Sequence, residues 1–481
     1  MLVISFVLFL LGFMAVGLAS SLRARPTKED YYLASQGTAP WLVGLSAVAT
    51  NNSGYMFIGV IGYTYATGLA SIWLMLGWIA GDLMASLFVH RRLRAAAGQS
   101  GALSYVGVLN HWGGKPSPSW QRWGGVLSIV FLLAYAAAQL VAGSKALNVL
   151  LGWPTWAGAV GGACIIALYC MAGGIRASIW TDAAQSIVMI FAMGLLLLTV
   201  TQSLGGPSGA WQAMGEVDGF LDWFPKDLAL PGLAGGLLFA ASWLFAGLSV
   251  VGQPHVMVRF LTLNSNKHML QARVWYYLWF TAFYAMATGV GMLSRVFIAD
   301  GGFDAELALP IMAQEVLPPV LVGLVLAGIF AATMSTADSL VLSCSAALTH
   351  DILPQKVERT FVLKAATVGI TLLALLWALL NEQSVFGLVI MAWSGLASAF
   401  VPLLLIKAFG GRPGGGLALL ISAVGLLTAL VWRWLGLHAA VYEGMPGILA
   451  GLLLYGLSRP FWPAAESAAP AARAQAADGS A

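Results

Sequence analysis

The chain has 481 residues, of which 59% are hydrophobic and only 9% are charged. A soluble domain carries about 25% charged residues, so this composition excludes a soluble protein and indicates a multi-pass membrane protein. The formal net charge of +4 gives no reason to expect a nucleic-acid partner. Three cysteines lie in apolar runs without neighbouring metal ligands, which is typical of small buried side chains.

Thirteen segments are apolar over about the 20 residues that a membrane-spanning helix needs. They are residues 2–21, 41–68, 71–90, 124–147, 155–173, 183–203, 233–252, 274–298, 317–346, 362–380, 386–407, 416–435 and 443–457. The first segment could pass for a signal peptide, but no basic residues precede its apolar part. We therefore interpret it as a membrane helix.

Basic residues concentrate in the loops that this count places on the inner side, such as Arg91, Arg92, Arg94 and Arg259. The outer loops carry few basic residues and hold acidic ones such as Glu216, Asp218 and Asp304. By the positive-inside rule, this asymmetry predicts an outer N-terminus and a cytoplasmic C-terminus in a bacterial inner membrane. The tail, residues 459–481, is rich in Ala and Pro and is predicted to be disordered.

Polar residues interrupt the second span within the stretch SAVATNNSGYMFIG. Thr50, Asn51, Asn52 and Ser53 follow one another and precede Gly54. Asn and Ser compete for backbone hydrogen bonds and Gly weakens a helix, so together they favour a break. A broken helix offers carbonyl oxygens to a sodium ion and helix ends to a small zwitterion. The alternative is a polar contact between two unbroken helices.

A second polar cluster lies in the ninth span, in the stretch AGIFAATMSTADSLVLSCSAAL. Ser335, Thr336, Ser339 and Ser343 recur at spacings of three and four residues and therefore share one helical face. Hydroxyl oxygens on one face suit a hard cation such as sodium, although small-residue packing is the alternative. Asp338 beside them favours a functional role, because charges within the membrane are costly.

The two clusters fall on the first helix of one set of five spans and the third helix of the next. This placement predicts the leucine-transporter-type fold, an all-α membrane fold whose two inverted repeats of five helices enclose a midplane site. The predicted units are a first helix (1–21), two repeats (41–203 and 233–407) and two further helices (416–457).

Four ordered stretches resemble the sodium:solute symporter family, most closely its sodium/proline symporters. They are LSAVATNNSGYMFIG (45–59), GGIRASIWTDAAQSIVMIF (173–191), GQPHVMVRF (252–260) and AATMSTADSLVLSCSAALTHDI (331–352). The resemblance implies a sodium site formed by the carbonyl groups of Ala49, Asn52 and Ala332 and the hydroxyls of Ser335 and Thr336. It also implies a second sodium site or ion exit at Asp182 and Ser339, with Asp338 replacing a serine. Asp182 could instead cap the sixth span.

The resemblance further implies a solute site beside the break. Its candidate residues are Asn51, Ser53, Gly54, Tyr55, Tyr135, Gln139, Trp243, Phe245, Ser249 and Pro254. Proline carriers have an aspartate where this chain has Asn51, and a tryptophan and a tyrosine where it has Ala246 and Val250. These departures predict a small zwitterion or carboxylate as solute, with proline a weak substrate or none. Asp82 in the third span has no assigned role.

The sequence therefore predicts a secondary active transporter that couples inward sodium flux to uptake of a small organic solute by alternating access. The expected partners are sodium, the solute and the lipid bilayer, with no cofactor beyond the coupling ion. A membrane sensor that works with a separate signalling partner is the alternative. A membrane enzyme is disfavoured, because the six histidines never cluster with carboxylates at the midplane.

Overall fold

Helices form the regular secondary structure of the computed structural model, which describes residues 1–23, 25–298, 302–353, 359–380 and 384–458. Each predicted span lies on a helix. The helices are α1 (Leu2–Ser21), α2 (Lys28–Leu33), α3 (Pro40–Gly54), α4 (Val60–Thr67), α5 (Ile72–Ser100), α6 (Tyr105–His111), α7 (Pro118–Leu151), α8 (Thr155–Ser203), α9 (Gly206–Gly215), α10 (Gly232–Leu248), α11 (Pro254–Leu261), α12 (Met269–Phe297), α13 (Ala308–Val316), α14 (Pro319–Ala347), α15 (Thr360–Leu380), α16 (Val385–Ala408), α17 (Gly415–Trp434) and α18 (Gly444–Ser458). The predicted disordered tail, 459–481, lies outside the described residues.

By length and composition alone, nine helical stretches of the described residues could cross a membrane. One of them, Pro40–Ser100, contains two predicted spans, and the shorter apolar helices Thr155–Leu168 and Gly444–Ser458 account for two more. The remaining predicted span is α12. It is long enough to cross a membrane, but its three tyrosines and two tryptophans lower its hydropathy, so it is not among the nine. The nine stretches are thus compatible with the thirteen predicted spans.

Several helices extend beyond the apolar segments that predicted them. The apolar pattern predicts that the third span ends at residue 90, yet α5 continues to Ser100. The residues that follow His90 are mostly Arg, Leu and Ala, which favour helix regardless of polarity. The predicted inner loop 91–123 is therefore largely helical, because it contains the end of α5, all of α6 and the start of α7.

The second span is broken where the sequence predicts it. Ser53 has φ 50° and ψ 179°, which ends the regular helix of α3. A π-helical turn, Tyr55–Gly59, then leads into α4. Because α3 packs against α7, α8, α11, α12 and α14, the break is enclosed by protein. Non-helical backbone at membrane depth requires this enclosure.

The seventh span is also interrupted. After α10 the chain forms a 3₁₀ turn, Ser249–Gly252, and Gln253 is extended before Pro254 begins α11. The Gln253 side chain donates to the carbonyl oxygens of Ser249 (3.2 Å) and Trp393 (2.9 Å). The prediction of one continuous segment, 233–252, missed this interruption and the whole of α11.

Helices α5 and α10 contact each other through glycines. A methyl group at Gly81 would lie 2.0 Å from the Leu244 carbonyl oxygen, and one at Gly247 would lie 2.2 Å from the Trp78 carbonyl oxygen. Backbone thus meets backbone along this seam, as small residues permit in membrane helices.

A single residue separates the fifth and sixth spans. Gly174 has φ 56° and ψ −141° within α8, so the sixth span begins there rather than at residue 183. Beside it, Arg176 forms an ion pair with Asp30 on α2. Burial raises the pKa of Asp30, but hydrogen bonds from Arg176, the Arg25 amide and Ser35 together lower it by more. The pKa of Asp30 therefore lies below its usual value.

The substitution Gly174→Ala should destabilise the protein by about 1–3 kcal/mol, because only glycine adopts this backbone conformation without strain. The new methyl group would also lie 2.5 Å from the Tyr31 carbonyl oxygen. Thermal unfolding of the purified protein in detergent measures the loss. Gly161→Ala is the matched control on the same helix, where a methyl group meets nothing within 4 Å. Equal melting temperatures for both variants would contradict the role assigned to Gly174.

Candidate sodium and solute site

The hydroxyl groups of α14 meet the carbonyl groups of α3 immediately before the break. The Ser335 hydroxyl donates to the carbonyl oxygens of Ala49 (3.3 Å) and Ala332 (3.1 Å). The neighbouring Thr336 hydroxyl donates to the carbonyl oxygen of Thr50 at 2.9 Å. All of these residues are fully buried. The arrangement gathers neutral oxygen atoms from two helices, which is the chemistry that binds sodium in broken-helix transporters.

Asn52, the fifth residue of the predicted sodium site, lies on the same turn of α3. Its carbonyl group accepts a hydrogen bond from the Tyr55 backbone amide across the break. Its side-chain amide is buried, and neither the oxygen nor the nitrogen has a hydrogen-bond partner among the residues that the structure describes. The structure therefore places the carbonyl groups of Ala49 and Ala332 at the Ser335 hydroxyl, and Asn52 three residues further along α3 at the break.

A guanidinium group occupies the deeper position where the sequence predicts a second cation site. Arg259 on α11 is completely buried and lies 3.3 Å from Asp182 and 3.7 Å from Asp338. It also donates to the hydroxyls of Ser178 and Ser339. The predicted ligands Asp182, Asp338 and Ser339 are thus brought together, but they surround the guanidinium group of Arg259.

Two expectations about this cluster are wrong. The charge distribution predicts Arg259 in an inner loop, whereas it is buried between helices. The apolar pattern predicts Asp182 at the start of a span, where it could cap the helix, yet α8 already runs through it from Gly174. Its carboxylate accepts a hydrogen bond from Ser46 on α3 at 2.6 Å, so it connects the cluster to the broken helix.

Two side chains of α7 bind the broken turn directly. The Tyr135 hydroxyl donates to the Ser53 hydroxyl at 3.0 Å, and the Gln139 carbonyl oxygen accepts from the Gly54 amide at 2.8 Å. Tyr135 and Gln139 are four residues apart and share a helical face, as the sequence predicts. A methyl group on Gly54 would lie 2.5 Å from Thr333, so only glycine fits this turn.

A row of aromatic rings leads away from the break on the side of α4. Tyr55 stacks on Phe386 with ring centroids 5.5 Å apart, and Phe386 stacks on Tyr63 at 5.1 Å. Tyr63 then contacts Trp243 at 6.0 Å, and Trp243 stacks on Tyr442 at 6.2 Å. Two of the predicted solute residues, Tyr55 and Trp243, are therefore joined by rings from α16 and α4.

The remaining solute candidates occupy different surroundings. The Ser249 hydroxyl lies 3.0 Å from the Tyr442 hydroxyl at the end of the aromatic row. Phe245 is half-buried, and no ring contact joins it to α3 in the described parts of the chain. Pro254 lines a separate cavity with Tyr32 near the C-terminal end of α14.

The structure adds residues that the sequence did not predict at this site. Asn51 donates from its side-chain nitrogen to the Tyr276 hydroxyl at 2.6 Å, and Tyr276 donates to the unassigned Asp82 at 2.7 Å. Tyr277 donates to the other oxygen of Asp82 at 3.0 Å. The sequence singled out Asn51 and Asp82 separately, but it gave no sign of the tyrosines that join them, because these lie far away in the chain on α12.

Two interrupted helices, with buried hydroxyl and carbonyl oxygens gathered beside the first break, define a secondary transporter of the leucine-transporter type. Solved structures agree with this fold. A Na⁺-coupled sialic acid symporter matches with a TM-score of 0.81 at 18% identity, covering 97% of this chain and 98% of that one. Mhp1, a nucleobase-cation-symport-1 family transporter, matches with a TM-score of 0.60 at 14% identity, covering 93% and 98%.

The chain belongs to the sodium:solute symporter family, whose model matches residues 31–422. The Bacillus subtilis high-affinity proline transporter PutP is 29% identical over 93% of this chain and 94% of its own length. The Escherichia coli sodium/proline symporter is 28% identical over 93% and 90%. The chain is therefore a sodium-coupled solute transporter in a membrane, not an enzyme, with sodium as its coupling ion.

Substituting Arg259→Gln should strongly destabilise the protein, by roughly 3–5 kcal/mol, because it leaves two buried carboxylates without their cation. Adding Asp338→Asn should restore part of that loss, since one carboxylate then remains instead of two. Melting temperature and folded yield in detergent measure both effects, with exposed Arg122→Gln as the control. A double variant no more stable than Arg259→Gln would contradict the assigned charge pairing.

Proposed function

We propose that the chain binds a sodium ion between α3 and α14 and carries it inward together with a small zwitterionic solute by alternating access. The observation that carries this proposal is the meeting of the Ser335 and Thr336 hydroxyls with the carbonyl groups just before Ser53. Ala49, Asn52 and Ala332 complete the proposed ligand set. The proposed repeats remain residues 41–203 and 233–407, each of which begins with an interrupted helix.

Sodium entry supplies enough free energy for concentrative uptake. One charge that moves through 100 mV releases about 2.3 kcal/mol, and a tenfold sodium gradient adds about 1.4 kcal/mol. Together they support roughly 500-fold accumulation of a solute for each coupled ion. We place the protein in a bacterial inner membrane with an outer N-terminus, as the distribution of basic residues predicts.

The polar atoms around the break favour a solute without net charge. Within the described part of the chain, buried atoms with no hydrogen-bond partner include the Asn52 amide, the Tyr55 hydroxyl and the Gln139 side-chain nitrogen. They are neutral and comprise both donors and acceptors, which suits the paired charges of a zwitterion. The deeper carboxylates are already paired with Arg259. An amino acid therefore fits this set better than a solute with a large net charge.

The first test concerns the sodium ligands. Ser335→Ala and Thr336→Ala should each raise the sodium concentration for half-maximal uptake about tenfold, because a lost partner in a buried site costs about 1–3 kcal/mol. Ser343→Ala is the matched control, since Ser343 is a half-buried serine two turns further along α14. Sodium activation of uptake in reconstituted vesicles measures the effect. Unchanged activation in both variants would remove these hydroxyls from the site.

The second test concerns the solute. The named relatives make proline the first candidate, whereas Ala246 and Val250 replace the aromatic residues of proline carriers. We expect vesicles with an imposed sodium gradient to accumulate a neutral amino acid, with proline taken up weakly or not at all. A panel of labelled amino acids and carboxylates, with choline replacing sodium as the control, measures this preference. Sodium-driven proline uptake with micromolar affinity would contradict it.

A further inference from the structure

A buried carboxylate in the membrane is joined to the broken helix through one tyrosine. Asp82 on α5 and Tyr276 on α12 are completely buried, and Asn51 is nearly so. The Tyr276 hydroxyl donates to Asp82 at 2.7 Å and accepts from the Asn51 nitrogen at 2.6 Å. Asn51 lies two residues before Ser53, whose backbone breaks the helix. The network therefore ends at the proposed sodium and solute site.

No ion pair neutralises Asp82 among the residues that the structure describes. Arg273 is the nearest basic residue on α12, and its guanidinium donates to the Ser86 carbonyl oxygen instead. An unpaired charge at membrane depth is costly, and binding of a proton removes that cost. Asp82 is thus a carboxyl group whose two protonation states are both compatible with its surroundings.

The charge of Asp82 fixes the direction of every hydrogen bond in the network. A carboxylate only accepts, so Tyr276 must donate to it and must accept from Asn51. Asn51 then presents its nitrogen to Tyr276, which leaves its carbonyl oxygen without a partner, as the structure has it. That free oxygen adds partial negative charge beside the break.

A proton on Asp82 reverses this order. The acid hydroxyl donates to the Tyr276 oxygen, and Tyr276 turns its own proton towards Asn51. The Asn51 side chain rotates so that its carbonyl oxygen accepts that proton, and its NH₂ group becomes the free end. The O–H bond on Asp82 is the one covalent bond that this change forms, and its proton comes from solvent.

We propose that Asp82 is a proton-binding site that determines which end of the Asn51 side chain is free at the break in α3. Proline carriers have a carboxylate at the position of Asn51 itself. In this chain the carboxylate lies on α5 and acts on the break through Tyr276. Sodium binds more tightly when Asp82 is charged, because a free carbonyl oxygen attracts the ion and a free NH₂ group repels it. This inference rests on the proposed sodium site.

Other titratable groups surround Asp82. Helix α12 contributes Tyr276, Tyr277 and Arg273. Helix α5 contributes His90, which lies against the ring of Phe260. Besides α12, four helices pack against α5, namely α6, α10, α11 and α16. Helix α10 has no ionisable residue, and α11 carries His255 and the paired Arg259. Helix α6 carries Tyr105 and His111, and α16 carries Lys407, which donates to the Trp112 carbonyl oxygen.

The test measures sodium binding to the purified full-length protein by its tryptophan fluorescence, with choline keeping the ionic strength constant. For the parent protein, the sodium concentration for half-saturation should rise about tenfold between mildly alkaline and mildly acidic pH. Tyr276→Phe should abolish this dependence, because it removes the link to Asn51. Asp82→Asn should show weak binding at every pH, because its amide donates as the acid does.

Tyr277→Phe is the matched control. It removes an equivalent hydroxyl from the same carboxylate but not the link to Asn51, so the pH dependence should remain. His90→Gln should also retain it. If Asp82→Asn does not fold, the comparison of Tyr276→Phe with Tyr277→Phe still tests whether Tyr276 links Asp82 to Asn51.

Two results would overturn the role of Asp82 but leave the proposed sodium site standing. One is a sodium affinity of the parent protein that does not depend on pH, and the other is a parent-like pH dependence in Tyr276→Phe. A parent protein with no saturable response to sodium at any pH would overturn the proposed sodium site as well. The two failures are therefore distinguishable, because only the second removes sodium binding itself.

Discussion

A helix broken inside a membrane must satisfy its freed backbone groups within the protein, because hydrocarbon offers no hydrogen bonds. At Ser53 this requirement is met from three directions. Gln139 on α7 accepts from the Gly54 amide, the Ser53 hydroxyl accepts from the Tyr55 amide, and Thr336 on α14 donates to the Thr50 carbonyl. The break thus dictates polar residues on neighbouring helices, and the same residues form the proposed transport site.

The two ends of the broken helix are held by different kinds of interaction. On the N-terminal side of the break, Ser46 donates to Asp182, which also lies beside Arg259. On the C-terminal side, Tyr55 and Tyr63 belong to a row of stacked rings. Charge–charge and hydrogen-bond contacts depend strongly on geometry, whereas stacked rings tolerate sliding. The attachment on the N-terminal side of the break is therefore the more specific of the two, and the one on the C-terminal side the more adaptable.

Much of this architecture could be predicted because apolar length and polar interruptions are local properties of a sequence. The run from Thr50 to Gly54 indicated the break, and the spacing of Ser335 and Thr336 indicated the face that meets it. The burial of Arg259 could not be predicted, since hydropathy assigns a charged residue to a loop unless its partners are known. The partners of Asp82, Tyr276 and Tyr277, lie on α12 and leave no local trace. Helix ends such as that of α5 were missed because polar residues with high helix propensity extend a helix beyond its apolar part.

The glycine seam between α5 and α10 has a mechanical consequence. Because backbone meets backbone at Gly81 and Gly247, no side chain separates the two helices that could change rotamer and let one slide past the other. The pair therefore moves as one rigid unit, which includes both Asp82 and Trp243. A rearrangement that opens the site to one side of the membrane displaces both residues together and changes the contacts of this unit with α12, α16 and α18.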